Sequence, residues 1–366
     1  MERYKAAMET LHNYKIFDIV VIIICITIIV LLVTYLIRQF TKGRCPRTGK
    51  SSLSGIGRAN EVYQHPLREY YIKTSYNSCS AGQFQNDWVS LCALENVIQQ
   101  GCRVLDFEVY QVDGKAVVAT SNSIKYTEKG TYNSLSIDSV MKTVADKAVN
   151  NTMDGGNACP NPSDPLFLHF RIKTNHIEVY KQIADAIRNH LGYKLLSNQY
   201  SYENDGKNLG LEILTSLIGK VIIMVDKIEN NHIRDTDMYE LVNIIGKSAF
   251  LRSLSYDDIV YTPDMDELID YNKQNMTFGY PNLLDGAKNY DSINKIHEYG
   301  VQMFGMCFQI NDTYLQAYNQ KFSTAFLRKP LKLRYQAVNA EEPTKISEDL
   351  SPAYKTYETN YYNFKL

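Results

Sequence analysis

Residues 101–110 read GCRVLDFEVY: a glycine, then a run in which apolar and polar side chains alternate. Successive side chains on a strand point to opposite faces, so Asp106 and Glu108 share one face. The punctuation around this strand is regular. Upstream, 85–100 carries apolar residues at helical spacing (Trp88, Leu91, Cys92, Leu94, Val97, Ile98) and stops at Gly101, and 70–74 before it is β-prone. Downstream, Asp113-Gly114 turns the chain into a strand over 116–120. The alternation continues with a helix over 136–149, a strand over 166–172, helices over 177–191 and 209–218 (closed by Gly219) and an apolar strand over 221–225. Further strands fall near 249–254, 276–280 and 302–309. About eight strands separated by helices over roughly 270 residues fit an α/β fold, a TIM-type (β/α)8 barrel, better than a sandwich. A doubly wound sheet is the alternative, but no GxGxxG follows the first strand.

Charge narrows the function classes. The chain has 366 residues, 39 Lys+Arg against 40 Asp+Glu, and a net charge of −1. This excludes a strongly basic nucleic-acid binder and an acidic disordered tail protein, so no nucleic-acid partner is expected.

The ends of the chain differ from its body. After an N-terminal segment (1–18), residues 19–37 read IVVIIICITIIVLLVTYLI without a charge. At 1.5 Å per residue they span roughly 28 Å, which fits a single transmembrane helix better than a cleaved signal. A basic linker (38–65) follows, with Arg38, Lys42, Arg44, Arg47 and Lys50 against Arg3, Lys5 and Lys15 before the span, so the large C-terminal part is expected on the cytosolic, or interior, side. Sequons at Asn150, Asn275 and Asn311 argue weakly the other way. Cys45, Cys79, Cys92, Cys102, Cys159 and Cys307 form no CxxC pair, which argues against zinc. Six cysteines could make three bridges in an oxidising compartment, and scattered free thiols in a cytosolic domain are the preferred reading. The barrel covers 66–339, and 340–366, polar with a Tyr cluster, reads as a flexible tail.

PLREYYIKTSYNSCSAGQ (66–83), GCRVLDFEVY (101–110), LIGKVIIMVDK (217–227) and YNKQNMTFGYP (271–281) carry a resemblance. In order and spacing they resemble the X and Y regions of the catalytic barrel of phosphoinositide-specific phospholipase C, within the PLC-like phosphodiesterases. An X-like part covers 66–228 and a Y-like part 249–335. The resemblance implies hydrolysis of a phosphoinositide phosphodiester. Two histidines exchange protons, a calcium ion in a cage of Asn, Glu, Asp and Glu stabilises the phosphoryl charge, and basic residues grip the ring phosphates.

Laid on this chain, that set is eroded. The two histidine positions fall on Tyr76 and Thr120. The cage keeps Asn77, Asp106 and Glu108, but its last carboxylate falls on Arg171. The phosphate-gripping lysines fall on Met224 and Asp226, and the ring-phosphate Arg on Phe278. The ring-stacking Tyr is kept as Tyr280, with Ser253 and Ser255 as further substrate contacts. His169 shares a face with Arg171 and is the candidate for a relocated base. Losing a general acid or base removes ~10²–10⁴ in rate, and Tyr, with a pKa of about 10, is a poor base near neutrality. An Arg in the cage is expected to pair with Asp106 and Glu108, so calcium, implied by the resemblance, is not expected to bind. The expected function is a membrane-anchored pseudoenzyme binding a lipid head group or protein partner. A residual or altered phosphodiesterase and a structural membrane component of a virion or vesicle stand as alternatives.

Overall fold

A computed structural model describes residues 1–41, 53–123, 127–150, 159–202, 207–226, 232–336, 356–358 and 363–365. Parts of the basic linker, most of the tail and the Thr152 end of the first sequon lie outside them. The described strands are β1 (Tyr70–Ile72), β2 (Val104–Val112), β3 (Lys115–Ala119), β4 (Leu135–Ser136), β5 (Leu166–Ile172), β6 (Val221–Val225), β7 (Ile244–Ile245), β8 (Leu251–Ser255), β9 (Met276–Tyr280), β10 (Met303–Phe304) and β11 (Phe326–Arg328). One sheet runs β4-β3-β2-β5-β6-β7 and the other β11-β1-β10-β9-β8. Crossover helices such as α1 (Leu91–Gln99), α2 (Ile137–Val144) and α3 (Ile177–Leu191) make the neighbours parallel. A parallel bridge between Thr74 and Val104 joins the two sheets along one seam. At the other seam the Ser253 hydroxyl donates to Asp226 Oδ1 at 2.9 Å. The fold is the expected α/β barrel with mixed sheets, since β3 and β11 run antiparallel.

Strand periodicity sorts the core. Leu105, Phe107, Val109, Leu168, Phe170 and Ile223 face the helices and pack with Val140, Val144, Ile183 and Ile187. Val104, Phe167, Ile222, Met224, Phe278 and Met303 fill the inside of the barrel. Met303 and Met306 are core, whereas Trp88 is half-buried, against Tyr132.

Strand and helix bounds agree closely where periodicity is strong, as at β5, α3 and β6. Two expectations fail for local reasons. The helix over 85–100 starts only at Leu91, because Asn86 has φ 57° and Ser90 caps Cys92. Residues 209–218 form two 3₁₀ turns, Leu209–Leu211 and Leu214–Leu217, rather than one helix. The Asp113-Gly114 turn holds both residues at positive φ, 49° and 74°, as a two-residue hairpin needs.

The N-terminal helix runs Glu2–Thr41, and Phe17–Ile37 within it has mean hydropathy 3.3 and is long and apolar enough to cross a membrane. Thr27 and Thr34 return their hydroxyls to the carbonyls of Ile23 and Leu31, so neither presents an unpaired group to a lipid environment. Residues 335–366 form a separate unit, whose described part is an antiparallel pair, Thr356–Glu358 with Asn363–Lys365, where the sequence reading placed no regular element. Cys79, Cys102, Cys159 and Cys307 are free and buried. Cys92 is disulfide-bonded, which corrects the reading of uniformly free thiols.

Arg103, two residues past the Gly101 stop, is fully buried beneath the strands. It donates to the carbonyls of Pro165 (3.3 Å), Ala148 (3.2 Å) and Asp164 (2.9 Å). Arg103→Met keeps the stem and strands three acceptors. The expected result is a loss of about 3 kcal/mol in urea unfolding, as a lower midpoint at unchanged slope; an unshifted midpoint would contradict this account.

Candidate functional site

The barrel interior is apolar at the N-terminal ends of the strands and charged toward their C-terminal ends. Register builds the charged layer: Asp106 pairs with His169 and Glu108 with Arg171 across β2 and β5, while His169 pairs with Met224 across β5 and β6. Alternation then points Asp106, Glu108, His169 and Arg171 inward, with Asp226 just past β6.

Arg171 holds the centre. Its Nε donates to Asp106 Oδ1 (2.9 Å), and Nη2 to Asp106 Oδ2 (2.7 Å) and Asn77 Oδ1 (2.8 Å); Nη1 donates to Glu108 Oε1. The remaining carboxylate positions are also taken. The Asn77 amide donates to Asp106 Oδ2 (2.9 Å), and the Tyr110 hydroxyl and Ser121 amide donate to Glu108 Oε2 (2.9 and 3.0 Å). His169 bridges two aspartates, with Nδ1 2.8 Å from Asp106 Oδ1 and Nε2 3.3 Å from Asp226 Oδ1.

These contacts set the charges. Burial opposes ionisation throughout, yet the Arg171 charge and the His169 bond hold the Asp106 carboxyl well below its ordinary value. Against burial, the bonds from Asp106 and Asp226 push His169 up to about 9, so it is an imidazolium at neutral pH. Asp226 is lowered by the same bond. The Asp106 and Asp226 carboxylates therefore face the Arg171 guanidinium and the His169 imidazolium.

The mouth is closed by rings. Arg171 Cζ lies 4.2 Å from the centroid of the buried Tyr76 ring, which stacks on Tyr280 (6.4 Å, 13°) and meets Phe84 edge-on (5.5 Å). Tyr76, Phe84, Ala287 and Cys307 form an apolar cluster there. Close backbone passage fixes it, since a Cβ on Gly305 would come within 2.8 Å of Tyr76 Cβ.

The expected site residues now have places. Tyr76, Asn77, Asp106, Glu108, His169 and Arg171 are brought together, and Asp226 joins them through His169. Burial pushes the Tyr76 phenol well above its ordinary value, which does not suit an acid for neutral pH. Thr120 donates its hydroxyl to the Phe84 carbonyl (3.0 Å). His169 is no accessible base, being fully buried and bonded on both nitrogens. Met224 and Phe278 are core side chains, Phe278 lying 4.3 Å from the His169 ring. Ser255 caps the helix at Tyr256–Val260 in a reciprocal pair with Asp258 rather than facing a substrate. Tyr280 is engaged by Tyr76. Ser253 reaches the layer only through Asp226, a contact that single-strand reasoning missed because it crosses the seam between the sheets.

Calcium does not fit this donor set. Each carboxylate oxygen of Asp106 and Glu108, and the Asn77 carbonyl oxygen, already accepts at least one hydrogen bond, and a fixed positive charge sits among them. Among the described residues no group of three His, Cys, Asp or Glu is placed to hold a metal.

Comparison places the barrel. The family of the phosphatidylinositol-specific phospholipase C X domain matches residues 63–227. The barrel is of the phospholipase C type. Among solved structures, PLC21 of L. pealei matches with TM-score 0.59 and 19% identity over 76% of this chain and 38% of that one. PLC21 of S. officinalis matches with TM-score 0.59, 18% identity and the same coverage. A calcium-dependent phosphoinositol-specific phospholipase C from Pseudomonas sp. gives TM-score 0.44 and 10% identity over 70% and 94%. This chain thus spans little more than a third of the two PLC21 chains. No curated protein matches its sequence.

In this phospholipase C-type barrel the His169 link is a stability element with a defined pH window. Its folded pKa of about 9 lies above the ordinary 6.5, so its contribution is complete below pH 6.5 and is lost as pH rises through about 9. The Asp226 contribution, from a lowered pKa, is lost instead as pH falls. Urea midpoints are expected to fall between pH 6.5 and 9.5 in the wild type and to fall markedly less in His169→Gln; equal slopes in both would refute the link.

Proposed function

We propose that this chain is a membrane-anchored phospholipase C-type barrel without phospholipase activity, which acts by binding a lipid or a protein partner. The observation that carries the reading is Arg171, which satisfies the carboxylates that a catalytic cation would need. Tyr76 and Thr120 offer no proton exchange near neutrality, Met224 and Phe278 give no phosphate grip, and Tyr76 with Phe84 covers the centre. The apolar helix supports the anchor.

In vesicles containing phosphatidylinositol or its bisphosphate, the full chain is expected to release no more inositol phosphate than Asp106→Ala, with calcium or chelator. Calcium-dependent turnover that Asp106→Ala abolishes would overturn the proposal. Arg171→Glu should place a third carboxylate beside Asp106 and Glu108. Its melting temperature is expected to drop further than that of Arg171→Met and to recover with millimolar calcium, while the wild type ignores calcium.

On sidedness, the basic flank after the span supports a cytosolic barrel. The Cys92 bridge pulls toward an oxidising side, where disulfides persist. We place the barrel on the cytosolic side. Protease added to the cytosolic face of sealed membranes is expected to digest it; protection together with a glycan at Asn311 would reverse the assignment.

A further inference from the structure

The base of the barrel, opposite the charged layer, has a surface that the proposed function leaves unused. Three segments meet there: 57–69 ahead of β1, 208–214 ahead of β6, and 328–334 after the antiparallel β11. Backbone bonds join them, from the Leu67 amide to Glu212 O (2.8 Å), the Leu214 amide to His65 O (2.9 Å) and the Lys329 amide to Glu69 O (2.8 Å). Val62, Leu211, Ile213 and Leu331 are exposed on these segments, Leu331 by 64%.

Basic residues surround those tips. Arg58, Arg68, Arg328, Lys332 and Arg334 stand against Glu61, Glu69 and Glu212, and Glu69 is engaged by Arg328 at 3.3 Å. The cations crowd one another: after burial, the Arg328 charge is the next cause that lowers both His65 and Arg334. At the opposite end the acidic side chains gather on one group of loops. Beyond the C-terminal ends of β8, β9 and β10 lie Asp257, Asp258, Asp285, Asp291 and Asp312, with Lys288 and Lys295 as the cations among them. These loops are net acidic, although Lys129, Lys173 and Lys247 follow β3, β5 and β7 at the same end.

The tether arrives at the basic end. A Cβ on Gly101, just before β2, would meet the Leu53 side chain at 3.0 Å, and the Ile56 amide donates to Asp164, just before β5. The N-terminal helix ends at Thr41, so the 11 residues 42–52 are all that separate it from Leu53. At about 3.5 Å per residue they reach no more than roughly 40 Å, comparable with the width of such a barrel.

We propose that this base is an interfacial surface for anionic lipid, so that the barrel rests base-down on the bilayer with its mouth turned away. Apolar tips ringed by Lys and Arg are the composition that enters a head-group layer, and each cation near an anionic surface adds about 1 kcal/mol. The inference rests on the anchor reading above.

The full chain in a Cys25→Ser background, in nanodiscs with or without phosphatidylserine, tests it. A fluorophore is placed at Leu331→Cys or Leu211→Cys on the base, or at Leu284→Cys beside the mouth, and quenched by doxyl lipid. Quenching is expected to be several-fold stronger at 331 and 211 than at 284, to need phosphatidylserine, and to weaken in high salt and in an Arg58→Glu, Lys332→Glu double variant of exposed positions. Quenching at 284 equal to or above the base, or none at any position in a chain that co-elutes with the disc, would overturn the base-down surface while leaving the anchor. Failure to co-elute would remove the anchor reading itself.

Discussion

A guanidinium buried inside a barrel is tolerated only if its donors and charge are answered, and that constraint organises this molecule. Arg171 is answered by Asp106, Glu108 and Asn77, supplied by the first half of β2 and the turn after β1. The carboxylates need it equally. Two acids two residues apart on one strand repel across a low-dielectric interior unless a cation sits between them. A divalent ion and an arginine both satisfy that requirement. The arginine does so without leaving a coordination position open, and it cannot dissociate.

The rest of the layer follows from the same electrostatics. One guanidinium does not balance Asp106, Glu108 and Asp226, and His169 becomes the second cation because it lies between two of them. Tyr76 presents its ring face to Arg171, a contact that a histidine's polar edge would not make in the same way. Phe84 then fills the mouth, held by a backbone that also receives the Thr120 hydroxyl. The three rings Tyr76, Phe84 and Tyr280 pack together beside Arg171.

Much of this was legible in the sequence. Period-two alternation gave β2 and put 106 with 108, strand parity put 169 with 171, and β6 was read as an apolar run of strand length. The pairing of Arg171 with both acids followed from the resemblance, which set an arginine among the carboxylates of the cage. What parity could not supply was the third partner. Asp226 stood at a position the resemblance assigned to phosphate binding, and its link to His169 depends on how β5 and β6 register. Ser255 was lost for a different reason, because a local capping pair with Asp258 outcompeted any longer-range role. The 3₁₀ turns over 209–217 were missed because apolar spacing alone does not distinguish them from a helix.

Barrels of this type usually divide labour between a stabilising base and a reactive rim whose groups stay under-satisfied. Here the rim has taken on stabilising work. Asp106, His169 and Arg171 are each bound to two other charged groups of the layer, so the consequences of single substitutions are coupled and non-additive. Restoring a histidine at Tyr76 would unseat the ring over Arg171. Restoring a carboxylate at 171 would leave His169, Asp106 and Glu108 to find a new balance. Single substitutions in this layer therefore cost stability that only a second, matching change would recover. The layer thus binds β2, β5 and the end of β6 together as one electrostatic unit.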